Sequence, residues 1–135
     1  MKVLKPLHFD QSGRIAIHVN NRLEMITINR ITYCEANGNY TFIHLADGNK
    51  YMTACNLHSV YEKLKDFGFF TIDKSYVVNL LFIKAITQER NAKVLLDPEG
   101  ELKIARSRKP ALMDLLLNPD YTTKRTGSTN AVTVG

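Results

Sequence analysis

The sequence is short of everything that would mark a membrane-spanning, disulfide-stapled or catalytic protein. In 135 residues, no apolar run approaches the roughly 18 residues that a membrane-crossing helix needs. Met1 to Pro6 carries two lysines, but the apolar stretch of a secretory signal does not follow. The chain is therefore expected to be cytoplasmic and not itself membrane-embedded. Cys34 and Cys55 are too few and too far apart for a disulfide framework or a zinc site. Both fall in apolar, strand-like segments and read as small core residues. The histidines at 8, 18, 44 and 58 have no metal-ligand spacing. There is no G-x-S-x-G, no G-x-x-x-x-G-K-[ST], no G-x-G-x-x-G and no H-E-x-x-H. These absences point away from an enzyme: no catalytic residue, no metal and no cofactor is expected.

What is present fits one folded domain. Apolar residues make up 44% and charged residues 23%, the balance of an ordinary globular chain rather than a disordered one. Lysine and arginine number 18 against 13 acidic residues, a formal charge of +5. That excess is compatible with nucleic acid, an anionic membrane or neither. What decides is whether the cations gather on one face.

From Gly13 the chain reads as short strands broken by turns. Ile15, Ile17 and Val19 alternate with polar or small residues, the period of a half-buried strand. Asn20-Asn21 offers a turn, and Arg22 to Ile28 is a second β-prone run. Ile31 to Ala36 and Asn39 to Ala46 flank Asn37-Gly38, the favoured pair for a type I′ hairpin turn. Lys50 to Cys55 continues as a strand. The period then changes. Leu57, Val60, Tyr61 and Leu64 share one side of a helix predicted from Leu57 to about Asp66, with Asn56 as N-cap and Gly68 as the stop. Phe69 to Val78 is extended again, Asn79 to Leu81 is a short turn, and Ile83 to Thr87 is a strand. Lys93 to Leu96 and Leu102 to Arg106 form a last hairpin around Asp97-Pro98-Glu99-Gly100. A second helix starts near Pro110, faces the core with Leu112, Leu115 and Leu116, and ends at Asn118-Pro119. The expected organisation is a lead segment over 1–13, a mainly β domain over 14–118 with two short helices, and a disordered tail over 119–135.

Polar residues at the ends of strands are the strongest functional signals. Asn37, Asn39 and Tyr40 gather at the Asn-Gly hairpin. Asp73, Lys74 and Ser75 interrupt an otherwise apolar run. Arg106, Ser107, Arg108 and Lys109 form the densest basic stretch, between a strand and a helix. A charge run of that kind is most often a solvated loop. Tyr40 equally suits a half-buried strand position. Asn79 reads as a side-chain cap for the turn that follows, and Tyr76 as a core aromatic with a polar tip.

These same places carry a resemblance. Ile31-Thr-Tyr-Cys-Glu-Ala-Asn-Gly-Asn-Tyr40-Thr-Phe-Ile-His-Leu resembles the "I-x-Y-I-E-A-x-G-N-Y-x-x-I-x-L" opening of the LytTR DNA-binding domain family. Phe70-Thr-Ile-Asp-Lys74-Ser75-Tyr76-Val-Val-Asn79 is similar to its "F-x-R-I-H-R-S-Y-L-V-N" segment, and Ile104-Ala-Arg106-Ser-Arg108 to its late "V-S-R". The helix at Leu57 to Asp66 falls where the family has "L-x-x-L-E-x-x-L". The likeness covers about Arg14 to Leu117, and its two longer blocks in this order are specific together.

The resemblance implies short antiparallel strands in small sheets with two short helices, and a bacterial transcription regulator. Such a protein sends loops and strand ends, not a recognition helix, into successive major grooves of double-stranded DNA. Carried over position by position, it implies DNA contacts from Asn39 or Tyr40, from Lys74 and from Arg106, with Arg108 and Lys109 in the same basic stretch. It also implies two copies on a repeated site, with weak or no dimer in free solution. About 13 residues precede the first strand, so a reader without the family's usual receiver domain is expected, with a membrane-protein regulator as one possible partner. The sequence departs from the family at Asp73, where a basic residue or histidine is usual, and at Thr71, where arginine is usual. Asp73 would repel phosphate, so it is expected to point away from DNA or to pair with Lys74 or an arginine. The chemistry of the residues agrees with the resemblance. Arginine can hold guanine O6 and N7, asparagine can hold adenine N6 and N7, and lysine and arginine neutralise phosphates. The rival reading is a protein-interaction module that has the fold without DNA binding.

Overall fold

A computed structural model describes residues 11–118. The expected tail over 119–135 and all but the last three residues of the lead segment lie outside the described residues. Ten strands and two α-helices follow in order: β1 (Arg14–Val19), β2 (Arg22–Thr27), β3 (Ile31–Asn37), β4 (Tyr40–Leu45), β5 (Lys50–Thr53), α1 (Leu57–Leu64), β6 (Phe69–Asp73), β7 (Tyr76–Asn79), β8 (Ile83–Ile86), β9 (Lys93–Leu96), β10 (Glu101–Lys103) and α2 (Lys109–Leu117). All pairings are antiparallel. They build a hairpin β1-β2, a five-stranded sheet in the order β5-β4-β3-β7-β6, and a three-stranded sheet β10-β9-β8. The expected mainly β fold with small sheets and two short helices is what the chain adopts.

The five-stranded sheet is the frame, and its pleat feeds two cores. Cys34 pairs with Val77 and Tyr33 with Val78. Successive side chains of a strand point to opposite faces. Cys34 and Val77 therefore enter a core with Ile43, Val60 and Leu64 of α1, and Ile15, Ile17 and Ile26 of the β1-β2 hairpin. Tyr33 and Val78 turn the other way, into a core with Ile72, Val94, Leu96, Leu102 and Leu112. A strand covered on both faces reads as continuous apolar sequence rather than as alternation, which is how Tyr76-Val77-Val78 reads.

Local signals set the ends of these elements. Asn20 adopts φ 56° in the β1-β2 turn. The side chain of Asn56 accepts from Ser59 N at 2.8 Å to cap α1. The α-helix stops at Leu64, earlier than the periodicity predicts. The chain tightens into a 3-10 turn over Lys65–Phe67 and reverses at Gly68, φ 87°. In the β3-β4 hairpin, Asn37 pairs with Tyr40, so the turn residues are Gly38 and Asn39, one position later than predicted. Only Gly38 has positive φ, 63°, which is the type II′ pattern with glycine first, not type I′.

Two larger differences concern the ends of strands. Phe69 to Val78 is not one extended run but a hairpin. Lys74 and Ser75 form its turn without positive φ, and the register shifts between Thr71 and Asp73. A bulge restores pairing where the turn does not match the strand twist. The last strand ends at Lys103, not Arg106. Ala105 N leaves the three-stranded sheet and donates to Ile72 O on the edge of β6 at 2.7 Å.

Asn79 ties the two halves together at the end of β7. It is fully buried; its Nδ2 donates to Ile31 O at 2.8 Å, and its Oδ1 accepts from Leu81 N at 2.9 Å and from Gln11 Nε2 at 3.1 Å. Replacing Asn79 with alanine removes the side-chain donor to the carbonyl of the fully buried Ile31 and the side-chain acceptor of Leu81 N. The expected loss is about 2–4 kcal/mol of stability, read as a lower urea midpoint at unchanged m-value.

Candidate nucleic-acid interface

The three sequence-predicted places meet at one end of the five-stranded sheet. β3 runs toward the Gly38-Asn39 turn, and β7 starts beside it after the Lys74-Ser75 turn, with Glu35 opposite Tyr76. Ala36 N donates to Ser75 O at 2.9 Å, so the two turns are bonded to each other. The Ala105–Ile72 hydrogen bond brings the third stretch alongside β6, next to Asp73. From β4 to β6 is three strand spacings, and the 105 segment adds a fourth, so the tips spread over roughly 19 Å. Asn39 and Lys74 are exposed, Tyr40 is 48% exposed, and Arg106 is exposed.

The basic residues at this end divide into two kinds. Among the described residues, Lys74 and Arg106 have no hydrogen bond or ion pair and extend into solvent. Arg108 is engaged. Its Nε donates to Thr71 O at 2.8 Å, and its guanidinium lies over the Phe70 ring, 4.5 Å from the centroid. That combination of a single guanidinium hydrogen bond and a cation–π contact clamps the turn after Ala105 onto the sheet edge. Lys109 Nζ reaches Gln88 Oε1 at 3.4 Å, bridging the start of α2 to the β8-β9 loop. Ser107, between Arg106 and Arg108, is exposed.

Asp73, expected to point away from DNA or to pair with Lys74 or an arginine, forms no ion pair among the described residues. It is 8% exposed, and its Oδ1 accepts from Ser75 N at 2.9 Å. The carboxylate closes the Lys74-Ser75 turn as an Asx-turn. Its charge is spent inside the hairpin, while Lys74 one residue on projects from the turn.

Behind the tips, the same sheet face carries a cluster that the sequence did not single out. His44 stacks on Tyr33 with centroids 4.1 Å apart, and its Nε2 lies 2.9 Å from Glu35 Oε1. Tyr33 meets Tyr76 edge-on at 6.2 Å. Burial, and then the Glu35 carboxylate, raise the phenol pKa of both tyrosines above its ordinary value. Both hydroxyls therefore stay protonated at neutral pH. The sequence signal for this cluster is the cross-strand register alone, which pairs Tyr33 with His44 and Glu35 with Tyr76 once the hairpin is known. On the opposite face Cys34 is fully buried, and burial pushes its thiol up to about 12. Among the described residues no group of His, Cys, Asp and Glu could hold a metal ion, and no helix is long and apolar enough to cross a membrane.

Residues 21–117 match the family model of the LytTr DNA-binding domain. The chain is 29% identical over 119 residues to the "Sensory transduction protein LytT" of Oceanobacillus iheyensis; the match covers 85% of this chain and 47% of that protein. The chain thus spans about half the length of this curated relative. Among solved structures it is similar to the "LytTr DNA-binding domain of putative methyl-accepting/DNA response regulator from Bacillus cereus", with a TM-score of 0.64 and 18% identity. That match covers 77% of this chain and 96% of that one, and it bears on the fold.

The difference between Arg108 and Arg106 has a stability signature. Arg108→Ala is expected to cost about 1–2 kcal/mol through the lost hydrogen bond and ring contact. Arg106→Ala is expected to stay within about 0.5 kcal/mol of the parent. Thermal melts of the two variants side by side check this; equal melting temperatures contradict the clamp.

Proposed function

The chain belongs to the LytTR DNA-binding domain family, and from that premise we propose that it binds double-stranded DNA sequence-specifically, as a cytoplasmic transcription regulator. The observation that carries the reading is the joining of three separate stretches of chain at one sheet end by two backbone hydrogen bonds, Ala36–Ser75 and Ala105–Ile72. Lys74 and Arg106 are left free for a ligand there, and the tips span more than the roughly 12 Å width of a major groove. Such a surface can set one tip into the groove while its neighbours meet the flanking phosphates.

In this reading Arg106, with its unspent guanidinium, takes a guanine edge by two hydrogen bonds. Lys74, a compact charge on a stiff turn, takes a phosphate. Asn39 and Tyr40 supply amide and phenol contacts from the hairpin tip. Arg108 and Lys109 serve chiefly to hold Arg106 in place, with Lys109 still able to reach a phosphate. Two copies on a repeated site, each a weak or non-dimerising monomer in free solution, fit an end surface of this size. Control by a membrane-protein partner belongs to the same proposal.

Selection of bound duplexes from a random library, followed by anisotropy titration, tests the reading. With about 4–6 phosphates neutralised, the slope of log affinity against log salt is expected near −4 to −5. Arg106→Ala is expected to cost roughly 1–3 kcal/mol on the selected duplex and to relax preference at one base pair. Lys74→Ala is expected to weaken all duplexes alike. Equal affinity of the parent for every duplex overturns specific reading, and a flat salt dependence favours the protein-interaction alternative.

A further inference from the structure

A fourth loop arrives at the same end of the molecule. β9 and β10 are paired from Leu95 opposite Glu101 to Lys93 opposite Lys103. The ladder continues one step further, with Ile104 N donating to Ala92 O at 3.4 Å. The β8-β9 connection, residues 87–92, therefore lies one strand spacing from the segment that carries Arg106, on the side away from β6. Its base is closed twice, by Thr87 N to Lys93 O and by Lys93 N to Thr87 Oγ1, each at 2.9 Å. Its flank is held by the contact between Lys109 Nζ and Gln88 Oε1. This is a short loop anchored at both ends, not a free strap.

Arg90 stands at the exposed crest of that loop. No described hydrogen bond or ion pair engages it. Glu89 beside it is the one acidic residue of the loop, and it too is exposed. Lys109 is tied to the same loop through Gln88. The row of tips across this end thus runs from Gly38-Asn39 through Lys74 and Arg106 to Arg90. The last of these lies beyond the edge of the five-stranded sheet.

We propose that Arg90, supported by Lys109, is a phosphate-binding position that extends the DNA footprint past Arg106 onto the three-stranded sheet. The proposal rests on the DNA-binding reading and adds a contact on the side where the sequence motifs offered none. Its chemistry is that of the duplex backbone rather than a base. Arg90 sits in a loop set outside the other three tips, and a cation there meets the strand bordering the groove that they enter. A backbone contact contributes affinity and salt dependence but no sequence preference.

The test uses anisotropy titrations of the full chain on a selected duplex and on a random-sequence duplex, from 50 to 300 mM salt. The parent is compared with R90A, R90K, R106A and K63A, the last on α1 as a surface control. R90A is expected to lower affinity for both duplexes by the same factor, roughly three- to tenfold at low salt, with a salt slope shallower by about 0.9. R90K is expected to restore most of the slope, because neutralising a phosphate needs the charge and not the bidentate geometry of a guanidinium. K63A is expected to match the parent. Parent-like affinity and slope for R90A, alongside a weakened R106A, overturn this proposal and leave the DNA-binding reading standing. A loss confined to the selected duplex also overturns it, since it identifies a base contact. Failure of the parent to bind either duplex overturns both.

Discussion

The hydrogen bond from Ala105 N to Ile72 O is the joint on which the working end depends. Without it the three-stranded sheet ends at Lys103, and the basic stretch beyond would leave with no fixed direction. With it, the chain crosses from one sheet to the edge of the other immediately before Arg106. Arg108, two residues on, clasps the same edge strand through Thr71 O and Phe70. One exposed cation is thereby held between two anchored neighbours. Edge strands are usually a hazard that proteins cover or charge. Here the outer edge of β6 is covered by the segment that carries the candidate contacts.

The charge pattern at this end follows from how much each group has already spent on the protein itself. Asp73 gives its carboxylate to Ser75 N, Arg108 gives its guanidinium to Thr71 O, and Lys109 leans on Gln88. Lys74 and Arg106 have no such engagement among the described residues. A net charge of +5 is a weak indicator when counted over the whole chain. It gains meaning once the unengaged cations share a surface and the nearest carboxylate is turned into a hairpin.

Local signals in the sequence were enough for most of the elements and for the order of the motifs. Asn56 and Gly68 bound α1 because their side-chain and backbone chemistry is local. The Asn37-Gly38-Asn39 stretch announced a hairpin, but its register was not legible by one residue. Both Asn-Gly and Gly-Asn are good turn pairs, and the choice is made by pairing Asn37 with Tyr40, a contact that depends on the partner strand. The Lys74-Ser75 turn was invisible as a turn because it contains neither glycine nor proline. Its device is the Asp73 carboxylate, legible only as an anomaly in an apolar run. The end of the last strand at Lys103 and the engagement of Arg108 were out of reach of local signals, since both depend on β6, more than 30 residues upstream in sequence. The motif resemblance located Arg106, but only the packing separates it from Arg108.

Rigidity explains why such a surface can be built from turns. A side chain on a mobile loop loses conformational freedom when it binds, and that loss is subtracted from the affinity. Here each turn is held before any ligand arrives. Gly38 and Asn39 close a two-residue hairpin, Asp73 closes the next one, and the Ala36–Ser75 bond joins the two. The fully buried Ile43, Val77 and Val78 lock the strands behind them. The mobile part of each candidate contact is then little more than its own side chain. A twisted sheet end also sets neighbouring tips at successive angles, so the row is curved rather than flat. A curved row of stiff tips, cationic at Lys74 and Arg106, can follow a groove that winds, which a single straight helix does only over a short length.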